Sequence, residues 1–155
     1  MLNVFRCHKN ARMDHLRIPL AFEPDARLAN DSLWILDLQL CQLRLMQDKR
    51  FFWALLVPRI ANAHEWFELS AGEQLLLHQE TMQVARALKN AANAQKINIG
   101  ALGNIVAQLH VHVVARSSSD ACWPQPIWGT QMQTPAPELM AKRSAALLEA
   151  LQNLR

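Results

Sequence analysis

The residues best suited to chemistry are two histidines and a glutamine spaced two apart: Gln108, His110 and His112. They lie in Gln108-Leu109-His110-Val111-His112-Val113-Val114-Ala115-Arg116, where polar and apolar positions alternate and β-branched Val is frequent. That pattern predicts a strand with one wet face and one buried face. Residues i, i+2 and i+4 of a strand point to the same side, so Gln108, His110 and His112 line one face while Leu109, Val111 and Val113 enter the core. Two imidazoles on one strand face suit three chemistries. They can ligate a metal, one can attack as a nucleophile while the other orients it, or both can donate to a phosphate. For either histidine taken alone, an ordinary hydrogen-bonded residue is the simpler explanation.

The φ-Gln-φ-His-φ-His-φ-φ pattern (φ apolar) resembles the histidine triad family of nucleotide hydrolases and transferases, whose signature is His-φ-His-φ-His-φ-φ. Two further stretches are similar to that family in the same order: Asn98-Ile99-Gly100-Ala101-Leu102-Gly103-Asn104, and Trp53-Ala54-Leu55-Leu56-Val57-Pro58-Arg59. The resemblance runs from about Leu33 to Arg116. It implies that His110 is the nucleophile and that His112 and Gln108 hold phosphate oxygens. It also implies that backbone N–H groups of Gly103, Asn104 and Ile105 meet developing charge, that Asn98 contacts phosphate or sugar, and that Asp48 contacts ribose. A solvated turn Asp is the plain alternative for Asp48. The partner implied is a purine nucleotide or a nucleotide conjugate, bound by a homodimer in which Trp123-Pro124 borders the neighbouring subunit's site. No metal or other cofactor is required. Two departures stand out. Gln108 replaces the first histidine of the signature, and Ile105 stands where the family usually has Ser or Thr. Both favour slow or altered turnover, so a nucleotide-binding module with little activity is the alternative to a hydrolase.

Composition narrows the classes. The chain has 155 residues, 51% of them hydrophobic and 19% charged, which fits one domain with a real core and excludes a disordered polymer. Its apolar runs fall far short of a membrane span. The formal charge of +3 is mild and not concentrated in a basic run, so neither nucleic acid nor membrane is an expected partner. Cys7, Cys41 and Cys122 are few, odd in number and widely spaced, as in a reduced, cytoplasmic protein.

The elements that must position the histidines follow from periodicity. Residues 1–20 read as a poorly ordered arm, and 21–155 as a single domain. Leu33–Leu38, Cys41–Met46, Phe52–Val57, Lys96–Ile99 and the histidine stretch read as strands. Cys41 to Pro58 forms a hairpin around the polar turn Gln47-Asp48-Lys49-Arg50. Ser70-Ala71-Gly72-Glu73 is a capping box opening a helix to about Ala92, on which His78 is an exposed residue. Gly100 and Gly103 interrupt regular structure before the histidines. Cys122 to Gly129, rich in Trp and Pro, is expected to be extended. Thr134 as N-cap and Pro135 at the first helical position open a last helix over 137–154. The sum is an α+β domain: a mainly antiparallel sheet of about five strands with two helices.

Overall fold

A computed structural model describes residues 16–19 and 21–154. Its strands are β1 (Ser32–Asp37), β2 (Cys41–Met46), β3 (Trp53–Pro58), β4 (Lys96–Gly100) and β5 (Val111–Arg116). Its helices are α1 (Ala26–Asp31), α2 (Ala71–Ala91) and α3 (Pro137–Gln152), with a 3-10 turn at Trp66–Glu68. The strands form one antiparallel sheet in the order β1-β2-β3-β5-β4, the α+β arrangement expected from the sequence.

Side-chain alternation gives the sheet two unlike faces. On one face Leu43, Ala54, Leu56, Val111 and Val113 pack with Leu77, Val84 and Leu88 of α2 and Leu147 and Leu151 of α3. Leu109, just before β5, joins this core, so the alternation read from the sequence holds. Cutting one of these fully buried leucines back to Ala costs about 2–5 kcal/mol. The other face carries a second cluster, Met46, Trp53, Leu55, Val57 and Val114, covered by Leu28 of α1, Val106 and Ile127. The histidines stand on this second face, which is buried and not wet as the alternation predicts, because α1 and the segments holding Val106 and Ile127 cover it. Helices α2 and α3 hold the sheet from behind, and shorter segments, α1 among them, cover the front.

Local sequence explains most of the elements. β3 is buried along its whole length, as its unbroken apolar run requires, and it ends at Pro58. At α2, the Ser70 hydroxyl accepts from Glu73 N while the Glu73 carboxylate accepts from Ser70 N, so the expected capping box forms. Glu73 also takes Arg17 Nη2 at 2.7 Å. Of the arm expected over 1–20, residues 1–15 and 20 lie outside the described residues, whereas Arg17 is thus tied to α2.

Three expectations need correction. Regular pairing of the histidine strand begins at Val111, not Gln108, because Leu109 N donates to Ala63 O at 2.8 Å instead of to a strand neighbour. α3 starts with Ala136 as N-cap and Pro137 in its first turn, so Thr134 caps nothing. The segment after β5 is folded into turns over 121–125 and 128–130 and is not extended. α1 has no expectation to match. It is six residues long, too short for a periodic signal, and is held by the Asp25 carboxylate accepting from Arg27 N at 2.8 Å.

Candidate active site

His112 sits inside β5, opposite Leu55 of β3 and Gly100 of β4. The parity of the strands puts it on one face with Val114 and Arg116 of β5 and with Asn98 and Gly100 of β4. His110 lies one step before the strand. The two imidazoles meet edge to face, centroids 4.8 Å apart and planes 86° apart. Both are buried.

Their protonation is set by neighbours of fixed hydrogen-bond polarity. His110 Nδ1 lies 2.6 Å from the carbonyl oxygen of Gln108. A carbonyl only accepts, so in the neutral ring Nδ1 carries the proton and Nε2 the lone pair. For His112 the situation is reversed. Trp53 Nε1 donates to His112 Nδ1 at 3.1 Å, and an indole N–H only donates, so the His112 proton resides on Nε2. Burial, and next the adjacent His110, push His112 down to about 3, so it stays neutral at ordinary pH. One imidazole therefore offers a lone pair and the other an N–H.

Around this pair the other expected residues fall into place unevenly. Asn98, in register with Val114, has its side-chain oxygen on Arg116 Nη1 at 2.6 Å. Gly103 adopts a left-handed φ of 69°, which a side chain would resist, and leads into the exposed bend Asn104-Ile105. Among the described residues nothing accepts from the N–H groups of Gly103, Asn104 or Ile105. Ile105 is 81% exposed and brings no side-chain donor or acceptor.

Two expected residues are engaged elsewhere. The side-chain oxygen of Gln108 accepts from Asp25 N at 2.7 Å, tying the lead-in of β5 to the start of α1. Gln108 thus serves the pair through its backbone carbonyl. Its side chain borders a cleft of about 460 Å³ shared with Glu23, Asp25, Asn62 and His64 and lined by neither His110 nor His112. Asp48 is fully buried, and its carboxylate accepts from Arg50 N, Nε and Nη2 at 2.9, 3.0 and 2.6 Å. Burial pushes this carboxyl up, but the Arg50 bonds outweigh it and hold it below the usual range. A ribose would have to share these oxygens with Arg50.

Three residues of the site were not legible from motifs. Trp53 polarises His112, and its only signal is a Trp at the head of an aliphatic run. Arg116 is almost fully buried and holds Asp120, Asn98 and the Gln125 carbonyl. Trp128 lies against Gly100, where an added Cβ would sit 3.0 Å from Cζ2, with its rings 6.3 Å from His112. Its buried N–H has no partner among the described residues. Among those residues no group of three His, Cys, Asp or Glu is arranged to hold a metal.

The family model for the HIT domain matches residues 27–119, which include both histidines, their polarising neighbours and the Gly103 bend. The chain belongs to the HIT family. It is similar to a histidine triad protein of Sinorhizobium meliloti, with 48% identity and a TM-score of 0.81 over 83% of this chain and 96% of that one. A histidine triad protein of Bradyrhizobium japonicum shares 39% identity, with a TM-score of 0.82 over 84% of this chain and 98% of that one. One from Marinobacter aquaeolei shares 34%, with a TM-score of 0.81 over 86% and 98%. Among curated proteins none matches this chain. HIT proteins are in general nucleotide hydrolases and transferases. No helix among the described residues is long and apolar enough to cross a membrane.

Proposed function

We propose that this HIT protein hydrolyses nucleoside 5′-phosphate conjugates through a nucleotidyl-histidine intermediate. The observation that carries the reading is the 2.6 Å contact between His110 Nδ1 and the Gln108 carbonyl, which leaves a lone pair on Nε2. In the first step that lone pair attacks the α-phosphorus, a P–N bond forms, and the bond to the leaving group breaks with its electron pair. The leaving group takes a proton from solvent. In the second step water attacks the same phosphorus and gives up a proton to solvent, the P–N bond breaks with its electron pair returning to Nε2, and His110 is regenerated with release of the 5′-monophosphate.

His112 supports both steps as a neutral donor from Nε2 to a non-bridging oxygen. Asn98 and the N–H groups of Gly103, Asn104 and Ile105, unengaged among the described residues, add donors for the charge that accumulates on the phosphoryl group. Gln108 contributes through its carbonyl, and its side chain anchors α1. A homodimer is part of the proposal. The outer edge of β4 is unpaired among the described residues, and exposed Ile99, Leu102 and Ile105 lie on or just after it.

The test is mass spectrometry of the protein after brief incubation with diadenosine tetraphosphate or adenosine 5′-phosphoramidate. An adenylyl adduct or AMP release in wild type, absent in H110A, is the expected result. A second reading, a nucleotide-binding module with little turnover, draws on the Gln108 side chain being held by Asp25 and on the apolar Ile105. Bound nucleotide with neither adduct nor release would replace the first reading by the second.

A further inference from the structure

We propose that Arg116 is a positioning residue that makes the Asn98 amide an obligate donor toward a nucleotide lying over β4 and β5. The inference deepens the hydrolase reading and rests on it. An asparagine amide presents either its oxygen or its N–H groups, and the two faces exchange by a simple flip. Phosphate oxygens only accept, so a flipped Asn98 would oppose a phosphate with a lone pair.

Arg116 removes that freedom. A guanidinium has five N–H donors and no acceptor, so the contact at 2.6 Å between Nη1 and Asn98 is satisfied only when Oδ1 faces it. The guanidinium is itself fixed. Its Nε and Nη2 hold the two Asp120 oxygens at 2.7 and 3.0 Å, and Nη2 also takes the Gln125 carbonyl at 2.8 Å. The rings of Phe51 and Trp123 lie 6.0 and 5.8 Å from its central carbon. A planar fork meeting three partners at once is geometry that lysine does not reproduce.

The consequence for the site follows from register. Asn98 pairs with Val114 and Gly100 with His112, so the amide stands on the His112 face, two residues along. With its oxygen taken, its N–H groups are what remain for a ligand. Trp53 does the same to His112, leaving Nε2–H. Two neutral donors are thereby set in direction before any phosphate arrives, each by a residue that does not touch the ligand. Preset dipoles need no reorganisation when charge develops, which is where such donors are most effective.

A purely structural role, with Arg116 only tying down the loop after β5, makes a different prediction, and a double-mutant cycle separates the two. AMP affinity is measured by calorimetry, and kcat and KM on adenosine 5′-phosphoramidate, for wild type, R116K, N98A and the double variant. R116K and N98A are each expected to weaken AMP by roughly tenfold and to raise KM more than they lower kcat. The double variant should be no weaker than N98A alone. An unchanged AMP affinity in folded R116K, or penalties that multiply in the double variant, overturns the proposal. Should R116K not fold, NMR of the Asn98 side-chain amide in wild type decides: N–H resonances that shift when AMP binds support the proposal, and resonances that AMP leaves in place overturn it. Wild-type protein that binds no AMP sinks the nucleotide reading and this inference together. Wild-type binding with multiplying penalties sinks only the role of Arg116.

Discussion

Replacing Trp53 by Phe removes one hydrogen atom's worth of direction from the site while leaving an aromatic ring in the sheet. In wild type the indole N–H sits 3.1 Å from His112 Nδ1, and the rings are 5.2 Å apart. A net intramolecular hydrogen bond contributes about 0.5–1.5 kcal/mol. At 1.4 kcal/mol per decade, losing it corresponds to roughly 2- to 12-fold in kcat/KM if His112 must donate from Nε2. Stability should fall by a similar amount plus a small void, about 1–2 kcal/mol in all, or some 2–8 °C in Tm for a chain of this length. The direct assay is nitrogen-15 NMR of the histidine rings, which reports which nitrogen carries the proton. Wild type should show His112 protonated at Nε2, and W53F should show a mixture with Nδ1. A W53F protein whose His112 remains wholly in the Nε2–H form, with kcat/KM unchanged, would refute the reasoning that Trp53 sets the tautomer.

Acid should destabilise the protein in two overlapping stages. His112 is held down to about 3 against an ordinary 6.5, so the unfolded chain binds more protons between those values and stability falls as pH drops below about 6.5, by up to about 1.4 kcal/mol per pH unit. Glu73, held down to about 2 chiefly by Arg17, contributes stability that is full above its ordinary 4.5 and is lost as pH falls from there toward 2. Chemical denaturation across pH should therefore show H112Q flattening the upper stage and E73Q the lower one. G100A drives a Cβ to within 3.0–3.1 Å of the Trp128 ring, and the expected cost is about 1–3 kcal/mol, a shifted Trp fluorescence spectrum and lower turnover. H110A should fold like wild type and give no adenylyl adduct, which mass spectrometry and a melting curve check together.

The first face of the sheet was legible because its signals are local. Period-two alternation around Val111 and Val113, the unbroken apolar run of β3 and the Ser70–Glu73 box each specify an element without reference to distant residues, and each is present. The strand that carries His112 was legible for the same reason. Its start was misplaced by three residues because Ala63, far away in sequence, competes for the Leu109 N–H. α1 escaped notice because six residues give no helical period, and its stability comes from packing Leu28 on the sheet.

By itself, the sequence determined that Val111 and Val113 enter the core beneath α2 and α3, and that two imidazoles two residues apart stand together on the opposite side. Those are consequences of backbone periodicity. Tertiary structure decided what the imidazoles can do. The Gln108 carbonyl, the Trp53 indole and the Arg116 guanidinium fix the hydrogen-bond polarity of His110, His112 and Asn98 from 2, 59 and 18 residues away along the chain. It also decided that Gln108 and Asp48 turn their side chains to Asp25 and Arg50. Residue type supplies a donor or an acceptor; only the partner brought against it by the fold determines which of the two faces the ligand.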